Sequence, residues 1–187
     1  MKIGIIGSGE SSAPHWPQVS ARRIIPFDSV LGVEINSRLS QASNDKYQVA
    51  EFAQVADWAE VIILCVKGSV AEKVVRSLTP QIANKPIIDT TNPMPTLHQS
   101  MVYSSIFTDQ NESLMERLQA IAPEAKFVKA FNSVGAGVMV HPKFATTPTM
   151  YVCGDTDRKA DRFTTRQLGW EVEDLGAMAA ARHRRSL

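Results

Sequence analysis

Gly7-Ser8-Gly9 follows directly on the apolar run Ile3–Ile6, an arrangement able to hold a pyrophosphate. A glycine at the end of a buried strand lets the backbone turn sharply. A second one, lacking Cβ, lets phosphate oxygens approach the amide N–H groups that open the next helix. Glu10 and Ser11 continue the turn, and the place of a third glycine falls on Ser12, followed by Ala13, both small enough for close helix–strand packing. Two readings of this Gly-x-Gly stand side by side, a phosphate cradle and a plain tight β–α turn. At the end of the next apolar run, Gly32-Val33-Glu34 offers a carboxylate to the hydroxyls of an adenosine ribose. Glu34 so placed favours NAD, because it repels a 2′-phosphate. The alternatives are a solvated strand-end charge at Glu34, or a 2′-phosphate met by Arg22, Arg23 or Arg38.

The elements that must position these residues are marked by short apolar or β-branched runs: Ile3–Ile6, Ser29–Val33, Val61–Val66, Ile87–Asp89, Phe127–Ala130 and Met150–Cys153. Between them Val70, Val74 and Leu78 recur at helical spacing, as do Leu114, Leu118 and Ile121, and Ala160, Phe163 and Leu168. Strands alternating with single-faced helices predict an α/β fold: a doubly wound, mostly parallel, Rossmann-like sheet in one domain spanning residues 1–187. Its crevice should lie beyond the carboxyl ends of the strands, at Gly7, Gly32, Val66 and Asn92. The stretch from Glu10 to Asp28 departs from this plan, since Pro14 and Pro17 each cost about 3 kcal/mol inside a helix. The first helix is therefore late, short or broken, or is replaced by a loop without a binding role.

A net charge of +1 and scattered Lys and Arg give no broad basic face, so nucleic acid is not an expected partner. The N-terminus lacks a leader-like charged and apolar pattern, and no apolar run is long enough to span a bilayer. Both point to a soluble cytoplasmic protein. Cys65 and Cys153 lie in apolar runs without metal-ligand spacing and read as small core hydrophobes, with no metal expected.

In the second half, four segments follow one another in order: Ala59–Val66, Ile87-Ile88-Asp89-Thr90-Thr91-Asn92-Pro93-Met94, Val128-Lys129-Ala130-Phe131-Asn132-Ser133-Val134-Gly135-Ala136 and Met150–Asp155. Behind Gly-x-Gly, and over nearly the whole chain, they resemble the family of NADP-dependent oxidoreductases that includes coenzyme F420-dependent NADP reductase. The reductase domain of eukaryotic metalloreductases is a more distant relative. The resemblance implies a Rossmann domain that binds NADP or NAD and exchanges hydride with coenzyme F420, a flavin or another small acceptor. It assigns the phosphate turn to Gly7, Ser8 and Gly9, and the loop bordering the nicotinamide ribose to Asn92 and Pro93. Phe131, Asn132 and Ser133 fall on the segment facing nicotinamide and acceptor, with Val66, Lys67 and Ala130 at neighbouring strand ends.

Several departures from the family touch the cofactor. Glu10-Ser11-Ser12 replaces the usual Asn-Val/Leu-Gly, Glu34 an arginine, and Lys67-Gly68 a Pro-Trp-like pair. Family members also continue past Leu-Gly-Ala-Met with a helix lining the acceptor pocket, where this chain runs through Ala179-Ala180-Ala181 to Arg184-Arg185-Ser186-Leu187. With few large apolar side chains to dock, residues 178–187 are expected to be frayed or cut short, or to rest on a partner in a homodimer.

Hydride transfer needs orientation and a dry pocket, with no protein nucleophile. Asn132 is the side chain expected to orient a carboxamide or acceptor, its alternative being a strand-end cap, and Phe131 is the accompanying catalytic candidate. Lys129 is expected to be a solvated strand-end residue, its alternative being a charge near the site. His98 and His141 are expected at the surface, and Met139, Met150 and Met178 in the core. A dinucleotide-binding module without turnover, and a scaffold that no longer binds nucleotide, are the competing functions. In titrations followed by fluorescence, Gly9→Val should abolish binding of either dinucleotide, and Glu34→Arg should raise the affinity for NADPH relative to NADH. An unchanged preference in the latter would remove Glu34 from the ribose site.

Overall fold

The computed structural model describes residues 2–7, 30–32, 48–94, 108, 111–154 and 168–185. Within them β1 (Ile3–Ile6), β2 (Val30–Gly32), β3 (Gln48–Ala50), β4 (Val61–Leu64), β5 (Pro86–Asp89) and β6 (Lys126–Lys129) form one parallel sheet in the order β3-β2-β1-β4-β5-β6. This is the doubly wound arrangement expected from the sequence. A second pair, β7 (Thr149–Val152) and β8 (Glu171–Asp174), is parallel within itself. It meets β6 through an antiparallel bridge between Lys129 and Cys153.

β1 and β4 are buried at every position. They read as unbroken apolar runs because both faces of a central parallel strand are covered. Ile3, Ile5, Val61, Ile63, Ile88 and Val128 contribute to one core, with Met139, Val140, Leu168 and Trp170. Ile6, Ile62, Leu64, Ile87 and Phe127 contribute to the other, beneath the helices α1 (Phe52–Trp58), α2 (Gly68–Ile82) and α3 (Leu114–Ile121). Gly4 also lies on the helix side. A Cβ there would come within 2.7 Å of Val55 Cγ1 and 2.8 Å of the Ala59 Cβ, so its absence lets α1 approach β1.

The strand registers align Ala50, Gly32, Ile6, Leu64, Asp89 and Lys129 in one row across the sheet. The residues that follow them leave the sheet along a single edge. Chain order reverses between β1, which leads outward to β2 and β3, and β4, which leads the other way. Such a switch point is where open α/β sheets seat their ligands.

Three elements have no counterpart in the sequence expectations: β3, β8 and α1. The phase of α2 also differs. Its buried face is Gly68, Ala71, Val75, Leu78 and Ile82, whereas Val70 is 43% exposed. Gly68 accounts for this phase, because its Cα lies so close to the Asn92 carbonyl that any Cβ would collide with it. Pro80 inside α2 removes a donor from the Arg76 carbonyl, and the Thr79 hydroxyl donates there instead at 3.3 Å. Among the described residues no helix is long and apolar enough to cross a membrane. In urea melts Val75→Ala should cost about 2 kcal/mol and Val70→Ala less than about 0.5 kcal/mol, the reverse of what the Val70-Val74 periodicity implies.

Candidate functional site

At the end of β1, Gly7 has φ +156°, and a Cβ on it would collide with the Cys65 carbonyl. The missing side chain lets Gly7, at the end of β1, lie against the residue that follows β4, where the Cys65 N–H donates to the Ile6 carbonyl at 2.7 Å. Burial pushes the Cys65 thiol up to about 12, against the lowering effect of the Thr90 hydroxyl. Cys65 is thus an uncharged filler at neutral pH, and Cys153 is likewise buried and in no disulfide, as expected. Val66 is half-buried and Lys67 exposed, and the chain enters α2 at Gly68 beside Asn92.

The ends of β5 and β6 hold the polar part of the site. Asp89 is fully buried and Lys129 is 4% exposed, and the Lys129 Nζ lies 2.8 Å from Asp89 Oδ2. The same ammonium donates to the Thr91 carbonyl. The other oxygen of Asp89 accepts from the Thr91 N–H at 2.9 Å and from the Thr91 hydroxyl at 2.7 Å. Lys129 is therefore not the solvated residue expected. It completes the row begun by Ile6 and Leu64 on the helix side of the sheet, where a charge persists only if paired and hydrogen-bonded.

From this pair the chain makes two turns that meet. Asn92 Nδ2 donates to the Asn132 carbonyl at 2.7 Å, and Asn132 Nδ2 donates to Asn92 Oδ1 at 3.2 Å. Between Lys129 and Asn132, the Ala130 N–H donates to the Asp89 carbonyl at 3.2 Å. Phe131 turns the backbone with φ 59°, uncommon for a residue with a side chain. Its N–H lies 3.3 Å from the Met150 sulfur, and its ring stands edge-on to Trp170 with centroids 6.0 Å apart. Phe131 stands on the segment expected to face nicotinamide and acceptor. The ring is fully buried in the opposite core, and its conformation instead swings Asn132 over Asn92.

Asn92, Pro93, Lys129 and Asn132 line a small recess closed on its other side by Ser113, Leu114, Met115 and Ala181. Ser113 caps α3, accepting from the Glu116 N–H at 3.2 Å while its own N–H donates back to Glu116 Oε2 at 2.7 Å. The same Glu116 receives Arg182, whose Nε lies 2.9 Å from Oε2 and whose Nη2 lies 2.5 Å from Oε1. Residues expected to fray thus form a 3₁₀ helix over Met178–Arg185, with Met178 and Ala181 buried. The missing signal was the arginine: a two-pronged charge pair substitutes for the large apolar anchors that the tail lacks.

Ser8, Gly9, Glu10, Ser11, Glu34 and His98 lie outside the described residues. Of the other site candidates, Gly7, Val66 and Lys67 stand at the β1–β4 switch point, and Asn92, Pro93, Ala130 and Asn132 at the β5–β6 end. His141 is half-buried, with φ 46° and its N–H donated to the Leu168 carbonyl at 2.8 Å, a turn residue beside Gly169. Sequence reasoning missed Asp89, Thr91 and Arg182 as site-building residues.

The family described as NADP oxidoreductase, coenzyme F420-dependent, matches residues 2–93. Metalloreductase STEAP3 of Rattus norvegicus is 25% identical over 185 residues, which are 97% of this chain and 35% of that protein. The chain therefore spans about a third of the length of the curated relative it matches. Among solved structures, a candidate F420-dependent NADP-reductase from Arthrobacter sp. FB24 superposes with a TM-score of 0.85 at 23% identity, covering 99% of this chain and 89% of that one. The V8 variant of an imine reductase from Myxococcus stipitatus, in complex with NAD+, superposes with a TM-score of 0.70 at 11% identity, covering 99% and 58%. At these identities the superpositions establish the fold.

The Glu116–Arg182 contact has a pH signature. The Arg182 hydrogen bond, helped by those from Ser113, holds the Glu116 carboxyl down at about 2, below its ordinary 4.5. A carboxyl depressed in the folded state stabilises fully above its unfolded value and loses that contribution as pH falls through the folded one. Arg182→Met should cost about 1 kcal/mol at neutral pH, discounted for the partial exposure of the pair. In urea melts the gap should hold down to pH 4.5 and narrow as pH falls toward about 2.

Proposed function

From a chain that carries, over residues 2–93, the domain of the NADP oxidoreductase, coenzyme F420-dependent family, we infer an oxidoreductase that moves a hydride between NADP or NAD and a small acceptor of the deazaflavin or flavin class. The observation that carries this reading is the switch point between β1 and β4, flanked by Gly7 and followed along the same edge by the Asn92–Asn132 pair. Strand order 3-2-1-4-5-6 seats a dinucleotide across that edge, with the adenosine half over β1–β3 and the nicotinamide half over β4–β6. The described residues fit the second half. Two amide side chains there offer donors and acceptors beside a recess of mixed polarity, which suits a ribose and carboxamide.

When bound, the dinucleotide supplies or takes up the hydride. The protein's part is orientation and exclusion of water. Asn92 and Asn132 hold the nicotinamide end, Leu114, Met115 and Ala181 keep the recess apolar on its far wall, and Gly7, Ser8 and Gly9 take the pyrophosphate. Glu10, Ser11 and Glu34 extend the adenosine side, and Lys67 adds a cation at the start of α2. The kinship to a metalloreductase adds ferric complexes to the acceptors to be assayed.

The test is turnover of NADPH and NADH with deazaflavin, flavin, quinone and ferric acceptors. Steady oxidation of NADPH or NADH with one of them, by hydride transfer to the organic acceptors or with two ferric ions reduced and one proton released per nicotinamide, and reduced about a hundredfold in Asn132→Ala by poorer orientation, is the expected outcome. Tight dinucleotide binding without transfer to any acceptor would instead mark a binding module.

A further inference from the structure

We propose that the buried Asp89–Lys129 ion pair is the positioning device of the nicotinamide end, setting the distance between Asn92 and Asn132. This rests on the dinucleotide reading above and adds Asp89, which lies behind the recess, and gives Lys129, which lines it, a positioning role. The turn after β5 is tied to the pair by side-chain bonds, and the turn after β6 through the main chain of the same two residues. Lys129 donates to the carbonyl of Thr91, the residue before Asn92, and Asp89 Oδ1 receives both the N–H and hydroxyl of Thr91. On the other strand, the Asp89 carbonyl receives the N–H of Ala130, two residues before Asn132.

The pair therefore spans from β5 to β6 and holds Thr91, the residue before Asn92, against the strand that leads to Asn132. Gly68 presses on the Asn92 carbonyl from α2, and Phe131, locked by Trp170, orients Asn132 from the far side. A charge pair is unnecessary for stability at such a place, since apolar residues of similar volume are often as stable or more so. What apolar residues lack is the directional hold on the Thr91 N–H, hydroxyl and carbonyl. Preorganisation of the Asn92–Asn132 pair follows from that hold, and it acts on the part of the ligand the amides touch.

This separation between fold and site gives the experiment. Asp89→Leu and Lys129→Met are combined in the full chain, and folding is checked by urea melts. Affinities are measured for NADPH and NADH and for two probes lacking nicotinamide, ADP-ribose and its 2′-phosphate. The folded double variant should lose about tenfold in affinity for whichever dinucleotide the wild type prefers, while the matching nicotinamide-free probe binds as before. Equal affinities for the dinucleotide before and after substitution, or parallel losses for dinucleotide and probe, would overturn the positioning role. Should the double variant not fold, Thr91→Val decides. By removing one hydroxyl bond to Asp89 it should lower dinucleotide affinity about threefold and leave the probe unaffected, and an unchanged ratio would overturn the proposal. A wild-type chain that binds none of the four compounds would instead remove the dinucleotide reading itself, and this inference with it.

Discussion

Burial of β1 and β4 on both faces is the constraint from which the rest of the molecule follows. A strand covered on both sides has no place for an unpaired polar side chain. Ile3, Ile5, Ile6 and Val61–Leu64 are apolar throughout, and Gly4, the remaining residue of β1, is empty so that α1 can close on it. Polar chemistry is thereby pushed to where the strands stop. In-phase strand registers bring all those stops to one end of the sheet, and the reversal of strand order between β1 and β4 makes a switch point there.

The row that starts with Ile6 and Leu64 ends with Asp89 and Lys129, so the sheet passes from an apolar interior to a buried charge pair within two strand spacings. Such a pair persists because its partners are matched, with both Asp89 oxygens and the Lys129 ammonium engaged. The same bonds organise the recess above it. On the opposite wall, Glu116 caps α3 and receives Arg182, which brings Ala181 to the recess. Two charge pairs, one buried and one half-exposed, thus bound a site whose walls are otherwise backbone, amides and short apolar side chains.

Elements with a strong local signature were legible in the chain. The runs at β1, β4, β5, β6 and β7 appear within a residue or two of their observed ends, and the doubly wound topology follows from their alternation with helices. Elements without such a signature were not. β3 has only the residues Gln48–Ala50, and β8 is exposed or half-exposed along its length, so neither forms an apolar run. In α1 the buried residues Val55 and Ala56 are adjacent and form no stripe along the helix. In α2, the expected stripe of Val70, Val74 and Leu78 held at Leu78 and in part at Val74 but not at Val70, because contact between Gly68 and Asn92 sets the rotation of the helix.

The candidate site divides the same way. Glycine at the end of an apolar strand, and Asn92 and Asn132 just beyond two others, are local patterns, and the sequence alone determined that they stand at strand ends. It also determined that Cys65 and Cys153 are core residues, since both lie inside apolar runs. Only the tertiary structure decided that Asn92 meets Asn132, that Lys129 is buried against Asp89, and that Phe131 turns its ring into the core while its backbone aims Asn132 outward. Each of these joins residues 18 or more positions apart, the two links between the β5 and β6 ends spanning 40. Periodicity and turn chemistry act over a few neighbouring residues. Which polar groups are brought together across a sheet depends on strand order and register, which are settled by packing of the whole core.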